Sequence, residues 1–180
     1  MSGRPVAIVG PSGVGKDSVM EALAADPDIV LARRVITRPS EAGGEDFDGV
    51  TEEDFRHREA AGAFVLSWPA HGLLYGVPRA VNDDLEAGRI VLVNLSRAVL
   101  IAAQEVWPDL VVISLTAPPE VLAARLSGRG REAEEEQKRR LSRGSLPLPE
   151  GLTNVHEIDN SGALDDTVAA VRAVLQPECV

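Results

Sequence analysis

The chain is 180 residues long, 44% hydrophobic and 26% charged, with a formal net charge of −10. This composition fits one ordinary globular domain. It excludes a membrane span, for which roughly 20 apolar residues in a row are needed, and a general nucleic-acid surface, which needs a basic face. A lone cysteine, Cys179, allows no disulfide framework within the chain. The expected setting is a reduced cytoplasm, with no signal peptide ahead of the first strand.

Val6–Val9 read as a short strand, apolar on both faces as a central parallel strand is. A helix is predicted over 17–25, ended by Asp26-Pro27-Asp28. Ile29–Ala32 and Val35–Thr37 read as extended chain at the edge of the core. From Arg38 to about Arg79 the texture changes, with Pro39, Pro69 and Pro78 among glycines and acids. That block is too long for a connection and too patterned for a linker, so it is expected to be a small insertion with its own core. It contains a helix at 52–61, capped Thr51 to Asp54, and a strand at 64–68. Next come a helix at 78–88 closed by Gly88, a strand at 89–94, a helix at 97–106 capped by Ser96, and a strand at 110–115. Helices at 119–127 and 132–143 flank an Arg-Gly-rich break, and a strand at 155–158 and a helix at 163–175 complete the pattern. Alternating strands and helices with apolar strands predict an α/β fold with a parallel central sheet buried on both faces. The expected division is a core of 1–37, 80–124 and 153–180, an insertion at 38–79 and a lid at 125–145.

The most informative stretch is Gly10-Pro11-Ser12-Gly13-Val14-Gly15-Lys16-Asp17-Ser18, placed between the first strand and the first helix. Strand, glycine-rich turn and helix form the context of a phosphate-binding loop, in which backbone amides and the helix N-terminus cradle phosphate. Of eighteen basic residues only Lys16 and Lys138 are lysines, and one of the two falls where this motif needs it, to reach the outer phosphates of a nucleoside triphosphate. Asp17 departs from the motif, which places Ser or Thr there as a magnesium ligand; Ser18 follows one step later. No candidate strand ends in the aspartate that P-loop enzymes use beside the metal; the two candidates end at Asn94 and Ser114. Two readings stay open: Asp17 supplies the carboxylate to the magnesium shell, or Ser18 keeps the hydroxyl role and Asp17 is a first-turn acid.

Beyond the loop, Arg38 directly follows a strand, and Arg125, Arg129 and Arg131 border the break between two helices. Phosphoryl transfer is served mainly by positioning and by arginine, lysine and magnesium charge. The spacing of Arg125, Arg129 and Arg131 suits a water-excluding lid. Arg139 and Arg143 are explained as well as solvated helix arginines that balance Glu132, Glu134, Glu135 and Glu136. His57, His71 and His156 have no metal-ligand spacing. His57 is expected on an exposed helix face, while His71 is either a substrate contact or a solvated loop residue.

The motifs Gly-Pro-Ser-Gly-x-Gly-Lys, Thr37-Arg38-Pro39, Leu74-Tyr75-Gly76 and Arg125-Leu126-x-x-Arg129-Gly130-Arg131-Glu132 together resemble the guanylate kinase family. The resemblance implies a P-loop NTPase three-layer fold with an acceptor-binding insertion and an arginine lid, and ATP with Mg2+ as cofactors. Two departures count against guanine as the acceptor. The family's second arginine after the Thr-Arg pair is missing from Pro39–Glu45, and the glutamate that reads guanine is replaced by Leu66. A site built to hydrogen-bond a base loses heavily when a partner is absent.

Gly15-Lys16-Asp17-Ser18, Ile36-Thr37-Arg38-Pro39, Leu66-Ser67-Trp68, Gly72-Leu73-Leu74-Tyr75-Gly76 and Leu92-Val93-Asn94-x-Ser96-Arg97-Ala98 are similar to a narrower family, the ribose 1,5-bisphosphate phosphokinases of phosphonate catabolism. That likeness implies ATP-dependent phosphorylation of a sugar phosphate by a monomer or homodimer, with no nucleic-acid or membrane partner. It implies that residues 10–18 hold ATP, and that Lys16, Arg129, Arg131 and Arg140 act on the transferred group. Arg38 would hold the sugar phosphate, with Tyr75, Arg97 and His71 as further candidates. For Tyr75 the competing reading is the insertion's core, and for Arg97 a solvated helix start. The competing functions are a nucleoside monophosphate kinase of altered base preference and a binding module without kinase activity.

Overall fold

The computed structural model describes residues 3–10, 14–38, 47–70, 72–118, 120–122, 124 and 148–175. Five parallel strands make the main sheet, in the order β2 (Ile29–Leu31), β7 (Ile90–Asn94), β1 (Arg4–Val9), β8 (Val111–Thr116) and β9 (Val155–Asp159). β1 lies at the centre, with Ile8 opposite Asn94 on one side and Ile113 on the other. Its side chains alternate between two separate cores. Ala7 and Val9 join Val91, Val93 and Val112 on one face, while Val6 and Ile8 join Leu92, Val111 and Ile113 on the other. Because both faces need cover, the interiors of β1, β7 and β8 are almost wholly apolar.

The second of these faces is covered by α1 (Lys16–Leu23) and α5 (Leu164–Leu175), through Val19, Met20, Leu23, Val171 and Leu175. The first is covered by α4 (Leu100–Val106), preceded by a 3-10 turn at Arg97–Val99, and by Val81 of α3 (Ala80–Glu86). Trp107 closes that side, its indole N–H donating to Asn82 Oδ1 at 3.1 Å. The α/β three-layer fold with a parallel central sheet is thus borne out.

A second sheet of four strands runs in the order β4 (Asp48–Gly49), β3 (Val35–Ile36), β6 (Leu73–Pro78) and β5 (Phe64–Ala70). Leu66 and Trp68 of β5 and Val77 of β6 pack into the first core, so this sheet is fastened to the main one. α2 (Glu52–Ala60) starts as the sequence suggests, Thr51 Oγ1 accepting from Asp54 N–H at 3.1 Å. Phe55 of α2 stacks on Phe64 of β5 with centroids 4.7 Å apart.

The structure refines several of the expected elements. Val35–Ile36 is extended as expected and forms β3 of the second sheet, where Ile36 pairs with Tyr75. Residues 73–78 form a strand that the sequence hides behind Gly76 and Pro78, two residues disfavoured in strands. Gly76 is there because a Cβ would come within 2.8 Å of the Phe64 ring. With Pro78 inside β6, the following helix begins at Ala80 rather than at residue 78. Also, β8 continues to Thr116, so Ser114 is an interior strand position opposite Val9, not its end. The expected lid at 125–145, with Arg129, Arg131 and Arg140, lies outside the described residues, as do Pro11, Ser12, Gly13 and His71.

Candidate active site

The site is built at the carboxyl ends of the central strands, where ligands of open α/β sheets bind. The chain leaves β1 through Gly10. A Cβ there would stand 2.8 Å from the Leu115 carbonyl oxygen and 2.9 Å from a Val14 methyl, so glycine is required. Gly15 takes φ 94°, a left-handed conformation that turns the chain into α1. Its N-cap, Gly15, has no side chain to cap the first turn of α1, and the amide donors of a helix start suit an anion. Lys16 Nζ donates to the Gly10 carbonyl at 3.1 Å and so bends back across the loop.

Asn160, directly after β9 and only 5% exposed, holds the loop from beneath. Its side-chain N–H donates to the Val14 carbonyl at 2.6 Å, its side-chain oxygen accepts from Thr167 Oγ1 at 2.5 Å, and its backbone N–H donates to the Thr116 carbonyl at 2.7 Å. One amide thereby ties β8, α5 and the phosphate-binding loop together.

The opposite wall comes from the second sheet. Thr37 N–H donates to the Leu74 carbonyl at 3.1 Å and Thr37 Oγ1 accepts from Leu74 N–H at 2.9 Å, which fixes the chain between β3 and Arg38. The Arg38 guanidinium lies over the Phe47 ring at 4.3 Å. Arg34, 7% exposed, lies over the Tyr75 ring at 5.0 Å, and Tyr75 stacks on Trp68 at 5.6 Å with planes 10° apart. Arg97 opens the 3-10 turn that follows β7, where Ser96 Oγ accepts from Ala98 N–H at 3.3 Å.

These cations sense one another. Burial pushes Lys16 down to about 8, and the Arg34 and Arg97 charges push the same way while Asp17 opposes them. Burial likewise lowers Arg34 to about 10, with Tyr75 and Asp17 opposing and Arg38 reinforcing the shift. Arg97 is also lowered by burial. A cluster of positive groups that repel each other in a half-buried site is stabilised by a polyanion. Asp17 and Ser18 are both exposed on the first turn of α1 beside this cluster. They offer the oxygen donors that Mg2+ takes when it also binds substrate phosphates.

A family model described as an AAA domain matches residues 6–143. The ribose 1,5-bisphosphate phosphokinase PhnN of Ruegeria sp. (strain TM1040) is 58% identical over 98% of this chain and 93% of that relative. The protein of the same name from Agrobacterium fabrum is 46% identical, covering 95% of each. The chain belongs to the AAA-domain family and, more narrowly, to the ribose 1,5-bisphosphate phosphokinases. Among solved structures, a guanylate kinase from Anaplasma phagocytophilum superposes with a TM-score of 0.71 at 21% identity, covering 97% of this chain and 85% of that one. That likeness supports the P-loop kinase fold.

Within this phosphokinase fold, Lys16, Asp17, Arg38, Tyr75 and Arg97 come together as a group, with Gly10, Val14, Gly15 and Ser18 forming the described part of the loop. Leu66 is 6% exposed and packs in the core beside Trp68, so this position reads no base edge. Two residues escaped the sequence reading. Arg34 sits before a two-residue strand and carries no motif; only its adjacency to Ile36-Thr37-Arg38 hinted at it. Asn160 carries no motif either, and its bond to Val14 spans 146 residues of sequence.

Proposed function

We propose that this chain transfers the γ-phosphoryl group of ATP to the 1-phosphate of ribose 1,5-bisphosphate, giving 5-phospho-α-D-ribose 1-diphosphate and ADP. The observation that carries this reading is the acceptor wall. It presents Arg34 and Arg97 beside Lys16 and Arg38 beside Arg34, while Leu66, at the position of a base-reading carboxylate, is buried in the core. Such a wall is suited to a phosphorylated sugar and poorly suited to a nucleobase.

In the reaction, a non-bridging oxygen of the 1-phosphate attacks the γ-phosphorus of ATP. The bond from that phosphorus to the β–γ bridging oxygen breaks, and its electron pair leaves on ADP. The attacking oxygen is already anionic near neutral pH, so no general base is required. The protein's task is to bring two highly charged molecules into line and neutralise them. The loop amides and Lys16 hold the outer phosphates of ATP. Bound at Asp17 or Ser18, Mg2+ would supply charge neutralisation at the phosphates. Arg38, with Tyr75 and Arg97, orients the sugar phosphate. The assignment of Arg129, Arg131 and Arg140 to the transferred phosphoryl group is part of the same proposal and rests on sequence alone.

The test is an ADP-release assay with ribose 1,5-bisphosphate, GMP, AMP and dTMP as acceptors. The sugar bisphosphate should give the highest kcat/KM. Faster turnover of GMP would replace this reading with a nucleoside monophosphate kinase.

A further inference from the structure

Arg34 belongs to none of the motifs that define the site, yet it is the most deeply buried charged side chain among the described residues. It stands at the junction between β2 of the main sheet and β3 of the second. Side chains alternate along extended chain, so Arg34 and Ile36 share one face. Ile36 pairs directly with Tyr75, and Tyr75 with Trp68, which places both rings on that same face. The Arg34 guanidinium over the Tyr75 ring, 5.0 Å from its centroid, agrees with this register. The Asp48 N–H donates to the Arg34 carbonyl at 2.8 Å, holding the main chain in place from β4.

Arg34 is also central in charge. Its charge acts on Lys16, and it feels the charge of Arg38 in turn. Held over Tyr75, the guanidinium lies within electrostatic reach of both Lys16, which marks the donor end of the site, and Arg38, which marks the acceptor end. A phosphate gripped by Arg34 would lie close to the γ-phosphoryl group that Lys16 holds. A planar guanidinium can grip such a phosphate with two parallel N–H···O bonds, which fixes the direction of its free oxygen. It also answers the departure seen in the sequence. The arginine missing from Pro39–Glu45 is matched by one placed four residues before Arg38.

We propose that Arg34 binds the attacking phosphate of the acceptor and aims its oxygen at the donor, which makes it a second acceptor-phosphate ligand beside Arg38. This rests on the kinase reading given above. It makes Arg34 a determinant of specificity, since a cation at this place favours an anionic acceptor over an alcohol.

Steady-state kinetics of the full chain with Arg34→Met and Arg34→Lys test the assignment, with ribose 1,5-bisphosphate and GMP each offered as acceptor. Methionine retains packing on Tyr75 and removes a buried charge, a change that cores tolerate. Arg34→Met should lower kcat for the acceptor about 100-fold, with KM for ATP changed less than about threefold. Arg34→Lys keeps the charge without the fork and should fall between, about tenfold down. An unchanged kcat in Arg34→Met would overturn the proposal, and so would a higher acceptor KM alone, since Arg34 would then hold a phosphate remote from the reaction. If Arg34→Met does not fold, a wild-type kcat in Arg34→Lys overturns it equally. A wild type that prefers GMP removes the sugar-phosphate reading but leaves Arg34 to be judged on GMP, whose phosphate would meet the same guanidinium.

Discussion

Replacing Asn160 by alanine should loosen the phosphate-binding loop without touching it. The side chain makes two buried hydrogen bonds, to the Val14 carbonyl at 2.6 Å and from the Thr167 hydroxyl at 2.5 Å. Val14 is fully buried and Thr167 nearly so, so water does not readily replace the lost partner. Each buried polar group left unsatisfied costs about 1–3 kcal/mol, and the Thr167 hydroxyl can rotate to recover part of its share. The expected loss is about 2–4 kcal/mol, close to a drop of 4–16 °C in Tm for a domain of this size. Urea unfolding of the full chain measures it as a lower midpoint at constant slope. Thr167→Val removes only one of the two bonds and should cost about 1 kcal/mol. The double variant should cost less than the two losses added, because they share that bond. KM for ATP should rise in Asn160→Ala while KM for the acceptor stays within about twofold. A stability loss below about 0.5 kcal/mol, the range of an ordinary surface substitution, would refute the reasoning.

The depressed Lys16 gives a pH signature. The free protein begins to lose this proton near pH 8 and the unfolded chain only near 10.5, so the unfolded state binds more protons in that window and stability should rise with pH across it. ATP restores the proton, so nucleotide binding at pH 8.5 should take up protons, read as a buffer-dependent enthalpy in calorimetry; no such dependence would contradict the assignment. Gly76→Ala places a methyl 2.8 Å from the Phe64 ring and should destabilise the second sheet by about 1–3 kcal/mol, seen in thermal melting. Asp17→Asn should shift the magnesium titration of activity upward at least about tenfold if the carboxylate serves the metal. If only Ser18→Ala shifts it, Asp17 is a first-turn acid.

The main sheet was legible because its strands are buried on both faces. Val6–Val9, Ile90–Val93 and Leu110–Ile113 are continuous apolar runs between helix signals, a pattern with few alternatives. The loop was legible because phosphate chemistry demands Gly10, Gly15 and Lys16 at fixed spacing, and each has a visible steric or electrostatic task. The second sheet was not, because its shortest strands have two residues each and β6 is stabilised by pairing and by Phe64 rather than by local preference. The burial of Arg34 and the bond from Asn160 to the loop are tertiary facts. Neither residue sits in a local pattern that differs from an ordinary surface arginine or turn asparagine. Arg38, Tyr75 and Arg97 could be named from motifs, yet their meeting with Arg34 depends on how the second sheet docks onto the first.

The central claim concerns which bond is made, and phosphorus NMR of the full chain incubated with ATP, Mg2+ and ribose 1,5-bisphosphate addresses it directly. The account predicts loss of the sugar 1-phosphate resonance and growth of a coupled pair of diphosphate signals, while the 5-phosphate resonance persists and ADP accumulates in equal amount. ADP accumulating with both sugar phosphate resonances unchanged, or no transfer to the sugar under conditions where GMP is phosphorylated, would contradict it.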